Sequence, residues 1–181
     1  MNLFWKRGYE NTSYDEIISS SGSSRYGLYQ EFGDKQKLFG SVLDYYTQNI
    51  IMKRMKGMRN KNAGLEEIKV FFRELSVDSI GSQENWGCLV CNSAVYEAKH
   101  YPTINELTKD ILAEMQEVFQ HVIQRGVHNK EVIEEAIHNG LAGILLAQLV
   151  SMNVLSPTAD NQKMFGYMVK GVERLIDSYK K

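Results

Sequence analysis

Three spaced pairs in this 181-residue chain carry side chains fit for chemistry: Cys88-x-x-Cys91, Glu97-x-x-His100 and Glu135-x-x-His138. Two thiols on one helix face, close to a helix start that lowers a thiol's pKa, suit oxidation or capture of an electrophile. The same pair also reads as two small buried apolar residues, the ordinary fate of free cysteine, and it is two ligands short of a tetrahedral zinc site. The two Glu-x-x-His pairs, joined by two further glutamates in a helical bundle, would make the donor set of a di-iron centre. At about 100° per residue, however, Glu135 and His138 fall opposite Ile133, Ile137 and Ile144, and His100 stands two residues before Pro102. Both pairs are therefore expected to face solvent. With no Gly-rich phosphate loop, nucleophile elbow or zinc-protease pattern in the chain, the expected protein is not an enzyme and needs no metal or cofactor; a helical di-iron protein is the alternative.

A different chemistry is written between Thr12 and Phe39, where polar side chains stand on two short helical patterns broken by Ser19-Ser20-Ser21-Gly22. Thr12 is placed to cap the first of these helices, with Asp15 reaching back from three residues on, and Ile17 and Ile18 supply its buried face. The serines compete for backbone hydrogen bonds and Gly22 tolerates a left-handed turn. The second helix restarts at Ser23 or Ser24. Leu28 and Phe32, four apart, point inward, which leaves Arg25, Tyr26, Gly27, Gln30 and Glu31 outside or at the helix start. That is the plan of a helix-turn-helix reader of DNA.

The run Thr12-Ser13, Ile17, Gly22, Leu28-Tyr29, Phe32-Gly33-Asp34-Lys35 and Leu38-Phe39 resembles the N-terminal domain of the TetR family of bacterial transcriptional regulators. Leu3-Phe4-Trp5 and Gly8-Tyr9 resemble the end of that domain's first helix. Elsewhere the likeness is looser and lies in helix layout and a Gly-Cys-Leu-Val-x-Asn stretch. The resemblance implies that Arg25, Tyr26 and Gly27, at the start of the recognition helix, meet base edges, that Thr12, Ser13, Tyr29 and Lys35 meet phosphates, and that Ser24 is a further DNA contact. Arginine can pair bidentately with guanine, and hydroxyls or a lysine at helix ends suit phosphate oxygens. Taken singly, Thr12 also reads as a cap, Tyr29 as a partly buried ring and Lys35 as a solvated charge. Three features depart from the family pattern: a first helix of about two turns with no basic arm ahead of it, Ser23 where an aliphatic side chain commonly packs, and Gly27 inside a helix at a cost of roughly 1 kcal/mol against Ala. A dimeric ligand-binding protein with impaired DNA binding is the second alternative that these departures imply.

The elements that must hold these residues are all helical. With 43% hydrophobic residues and two prolines, the chain can bury a real core. The expected class is all-α: a three-helix head over residues 1–46, then a helical bundle over 47–181 for ligand binding and dimerisation. No apolar run is long enough to span a bilayer, and MNLFWKRGYE lacks a signal-peptide core, so a cytoplasmic protein with no membrane partner is expected. Two cysteines fit a reducing compartment. The net charge of −1 is unevenly spread: residues 1–47 carry five basic and six acidic residues, whereas residues 48–64 carry five basic and no acidic ones. A near-neutral head predicts modest non-specific DNA affinity, and the basic run at Lys53–Lys61 reads as a solvated face.

Asp34 is placed to cap a helix running from about 35 to 56, followed by a break at Gly57–Gly64. Further helices are predicted from Leu65 to Gly81, from Cys88 to Lys99 and from Pro102 to near Gly126. Two strongly apolar patterns, 131–153 and 160–178, are separated by Pro157. Wide apolar faces with small residues such as Gly143, Gly166 and Gly171 allow close packing within one chain and leave surface for a second. The resemblance implies that this last pair forms a homodimer interface, which would set two recognition helices about 34–36 Å apart on a palindromic double-stranded operator. It also implies a pocket for a small-molecule effector, for which Phe72, Trp86, Cys88, Tyr96, Met115 and Phe119 are the candidate lining, since aromatics, Met and Cys make an apolar cavity. The same residues could simply fill the core.

Overall fold

The computed structural model describes residues 1–81, 85–158 and 162–181. Its elements in chain order are α1 (Asn2–Arg7), α2 (Tyr14–Ser21), α3 (Arg25–Phe32), α4 (Lys35–Tyr46), a π-helical turn (Thr47–Ile51), α5 (Met52–Arg54), α6 (Lys56–Arg59), α7 (Leu65–Gly81), α8 (Leu89–Tyr96), α9 (Pro102–His128), α10 (Glu135–His138), α11 (Leu141–Leu155) and α12 (Gln162–Asp177). Among the described residues the fold is all-α, apart from one isolated antiparallel bridge between Val132 and Lys180. Two compact units emerge: Met1–Ile51 with Cys88–Ile111, and Met52–Gly87 with Leu112–Lys181. The first unit thus includes α8 and the start of α9, which the sequence division at residue 46 leaves in the body.

The core of the first unit is aromatic. Phe39, wholly buried, takes the Phe4 ring edge-on at 4.9 Å and the Tyr9 ring at 5.1 Å. Trp5 stands edge-on to Tyr46 at 5.0 Å. Edge-to-face pairs of this kind contribute about 0.5–1.5 kcal/mol each beyond the area they bury. Leu28, Leu38 and Leu43 complete this core, and Gly40 brings α4 so near α9 that an added Cβ would lie 3.2 Å from Leu107. The predicted helix over 35–56 is not continuous: α4 ends at Tyr46 and the backbone widens into the π-helical turn. There the Thr47 hydroxyl donates to the Leu43 carbonyl at 2.8 Å, a local bond that periodicity does not reveal.

In the second unit, α7 packs on α12. The rings of Phe71, Phe72 and Phe119 cluster, with Phe72 and Phe119 stacked at 5.9 Å. Lys69, buried at 5% exposure, finds Asp177 at 2.6 Å, and Arg73 bonds Glu173 at 2.6 Å. The Asp177 carboxyl is lowered by its bonds to Lys180 and Lys69. The predicted helix over 131–153 is split. Gly140 adopts φ 70°, ψ 32°, so α10 is a single turn and α11 begins at Leu141; the apolar pattern runs through a residue whose backbone leaves the helical region. The chain end is tied back by Ile133 N–H to the Tyr179 carbonyl at 2.9 Å and Lys181 N–H to the Glu131 carbonyl at 3.1 Å.

Candidate nucleic-acid interface

The exposed face of α2 and α3 is built from caps. Ser13, extended at φ −82°, accepts from Glu16 N–H at 3.2 Å, while Glu16 Oε2 accepts from Ser13 N–H at 2.9 Å. The capping box is therefore Ser13 and Glu16, one residue later than the Thr12 and Asp15 pair read from the sequence. Both pairs match in type, but Glu reaches the backbone with one more methylene, and Thr12 is drawn inside: it is 0% exposed and its hydroxyl donates to the Gly8 carbonyl at 2.8 Å. That burial takes the Thr12 hydroxyl away from any phosphate. The two bonds from Ser13, aided by Arg7, hold the Glu16 carboxyl below the usual carboxylate range. Ile17 and Ile18 are only half-buried, and α2 has no fully buried residue, because a helix this short lies across the unit with one edge in water.

Gly22 makes the corner with φ 67° and its N–H donates to the Ile18 carbonyl at 3.1 Å. An L side chain there would meet the left-handed penalty. Ser24 then caps α3, its hydroxyl accepting from Gly27 N–H at 3.0 Å. Arg25, Tyr26 and Gly27 are the first three residues of α3 and all are exposed, Tyr26 at 75%. Gly27 has a local reason to lack a side chain, since a Cβ would lie 3.1 Å from the Ser24 hydroxyl. On the inner side Leu28 is buried and Phe32 half-buried. Asp34 caps α4 by accepting from Lys37 N–H at 2.9 Å. Tyr29 is half exposed, and the Lys35 ammonium lies 4.3 Å over the Tyr9 ring. Seven of the eight candidate DNA contacts, Ser13, Ser24, Arg25, Tyr26, Gly27, Tyr29 and Lys35, thus lie at an exposed or half-exposed position.

Two groups around Arg25 were not found from the sequence. Its guanidinium is ion-paired with Asp15 and lies 5.9 Å from the centroid of the Tyr14 ring. These contacts cross the corner from α2 to α3, ten and eleven residues apart, so no helical spacing signals them. A third is Glu97, expected to face solvent but only 5% exposed. Its Oε1 accepts from Tyr9 N–H at 3.0 Å, its Oε2 is buried without a partner, and burial pushes its carboxyl up. Close by, Tyr101 lies edge-on to Tyr9 at 4.8 Å and donates to Glu10, which pushes its phenol up to about 12.

The other candidates divide between the units. In the first, Cys88 and Cys91 are free, buried thiols at the start of α8; the Cys91 thiol donates to Cys88 and lowers its pKa, while Cys91 itself is raised. Tyr96 is 68% exposed. In the second, Phe72, Met115 and Phe119 are packed in the interior and Trp86 is half-buried. His100, Glu135 and His138 are all exposed, and among the described residues no three of His, Cys, Asp and Glu converge as a metal site would require. No helix among the described residues is long and apolar enough to cross a membrane.

Comparison with known proteins agrees with this geometry. The family model described as bacterial regulatory proteins, tetR family, matches residues 1–42. The uncharacterized HTH-type transcriptional regulator YezE of Bacillus subtilis is 25% identical over 167 residues, covering 91% of this chain and 86% of its own. A TetR transcriptional regulator from Chloroflexus aurantiacus superposes with a TM-score of 0.84 at 19% identity, covering 98% of this chain and 90% of that one. A mutant of the TetR-family regulator CifR, solved with 26-bp double-strand operator DNA, does so with a TM-score of 0.79 at 20% identity, covering 97% of this chain and 91% of that one. The match to the tetR family's model is thus seated on the capped head, residues 1–42, and the fold this chain shares with TetR-family regulators runs along nearly its whole length.

Proposed function

We propose that the protein is a homodimeric repressor that grips a palindromic operator and releases it when a small-molecule effector binds. The observation that carries this reading is the start of α3, where the Ser24 cap sets Arg25, Tyr26 and Gly27 on an exposed first turn. Arg25 and Tyr26 would meet base edges, and Ser24 with the open Gly27 backbone would let the helix end approach the groove; Ser13, Tyr29 and Lys35 would meet phosphates. That the structurally similar CifR mutant was solved in complex with operator DNA supports the same use of the fold.

Dimerisation through α11 and α12 accounts for the apolar side chains those helices leave in water, Ile144 at 44% and Tyr167 at 62% exposure, beside a groove lined by Leu145, Met168 and Leu175. A twofold axis there would place two copies of α3 on successive turns of one DNA face. Phe72, Trp86, Met115 and Phe119 of the second unit are the residues proposed to meet the effector. Because Phe72 and Phe119 are already stacked, an effector reaching them must open that packing, and it acts only by binding the DNA-incompetent state more tightly. The working place would be the cytoplasm, where the DNA is.

The test is a mobility shift with duplexes from the region flanking the protein's own gene. Salt-sensitive retardation of a palindrome, lost with Arg25→Ala, is expected. Retardation that Arg25→Ala leaves untouched on every duplex would overturn the reading.

A further inference from the structure

We propose that Asp15 and Tyr14 are positioning residues for Arg25, and that this trio makes each head discriminate in favour of guanine at one base pair of its half-site. The inference rests on the reading of α3 as the helix that enters the groove. Arg25 is the first residue of α3, and one nitrogen of its guanidinium, Nη2, is bonded to Asp15 Oδ1. The Cζ of the same group lies over the Tyr14 ring, 5.9 Å from its centroid. Tyr14 is itself held at both ends: its hydroxyl donates to the Gly33 carbonyl at 3.0 Å and its ring lies 4.8 Å from that of Tyr29.

The carboxylate thus holds one nitrogen of the guanidinium while its central carbon lies over the ring. Arginine carries five N–H donors. Asp15 engages one nitrogen and leaves donors free for the two parallel bonds that O6 and N7 of guanine accept. An arginine without such support, at a helix start where its side chain is 56% exposed, would swing between base edges and phosphates and read less sequence. Asp15, 79% exposed, also brings a negative charge to a surface that faces a polyanion. Left alone it would weaken binding to every duplex, so its effect on recognition must come through the orientation of Arg25.

The experiment uses the full chain. Selection by the wild-type protein from a pool of duplexes with a randomised centre supplies the probe, and single-base variants of that probe report discrimination at each position. Asp15→Asn is expected to lose roughly tenfold of the preference for guanine at the one position that Arg25→Ala also abolishes, while affinity for a scrambled duplex stays level or rises. Asp15→Glu, which keeps the carboxylate, retains most of that preference, and Tyr14→Leu loses it. With Arg25→Ala already in place, Asp15→Asn changes no base preference. If Asp15→Asn tightens or weakens all duplexes alike and leaves the guanine preference whole, the positioning role is overturned while operator binding stands. If the wild-type chain enriches no sequence, the operator reading fails and carries this inference with it.

Discussion

Ser24 and Gly27 share one small volume at the first turn of α3, and each constrains what the other can be. Removing the Ser24 hydroxyl orphans the Gly27 N–H, so Ser24→Ala is expected to cost about 1 kcal/mol in urea unfolding. Gly27→Ala would ordinarily gain roughly 1 kcal/mol of helix propensity, but its Cβ would lie 3.1 Å from that hydroxyl and most of the gain is withheld. The gain should return in the Ser24→Ala background; strict additivity of the two substitutions would show that they do not touch. Glu97 yields a second prediction. Burial raises its pKa, so the folded chain holds that proton more tightly than the unfolded one. The associated stability is complete below the ordinary value of 4.5 and is lost as pH rises through the folded value. Glu97→Gln keeps an acceptor for Tyr9 N–H and does not ionise. Its melting temperature relative to wild type should therefore climb as pH rises above 4.5, and a difference constant with pH would refute the argument.

At the scale of elements, the α2–α3 corner depends on one backbone angle. Gly22 has open space around its missing Cβ, so Gly22→Ala is expected to destabilise by about 1 kcal/mol through the left-handed penalty alone, and Gly22→Asn by less, since Asn visits that region more readily. Equal melting temperatures for the two variants would contradict this. The same corner explains what could be read in advance. Its serines and glycine are local signals, and they located α2, α3 and the exposure of Arg25. The cap moved by one residue because Thr12 and Ser13 offer the same hydroxyl, and only packing decides which is drawn inside. The split between α10 and α11 and the π-helical turn after α4 were missed because apolar spacing continues across both. The contacts of Arg25 with Asp15, and of Glu97 with Tyr9, join residues ten and eighty-eight positions apart; nothing periodic records them. Of the candidate effector residues, sequence could state apolar character but not whether a ring fills the interior, as Phe72 does, or stands in water, as Tyr96 does.

For the molecule as a whole, the apolar surface of α11 and α12 predicts an assembly that one charge can split. Tyr167→Glu, alone or with Ile144→Glu, is expected to halve the mass seen in sedimentation and to weaken binding to a palindrome far more than to a single half-site, because linked heads bind with an effective concentration that separate heads lack. Unchanged mass would exclude this face as the interface. One feature has practical value beyond regulation. The chain has two tryptophans, and they fall in different compact units: Trp5 beside Tyr46 in the first, Trp86 in the second. Replacing either by Phe leaves a single tryptophan per chain, whose emission is isolated from that of the tyrosines by exciting at the red edge of the absorption band. Emission from the two single-tryptophan forms during denaturation then times the loss of each unit separately, and shows whether the protein melts as one cooperative body or in two steps.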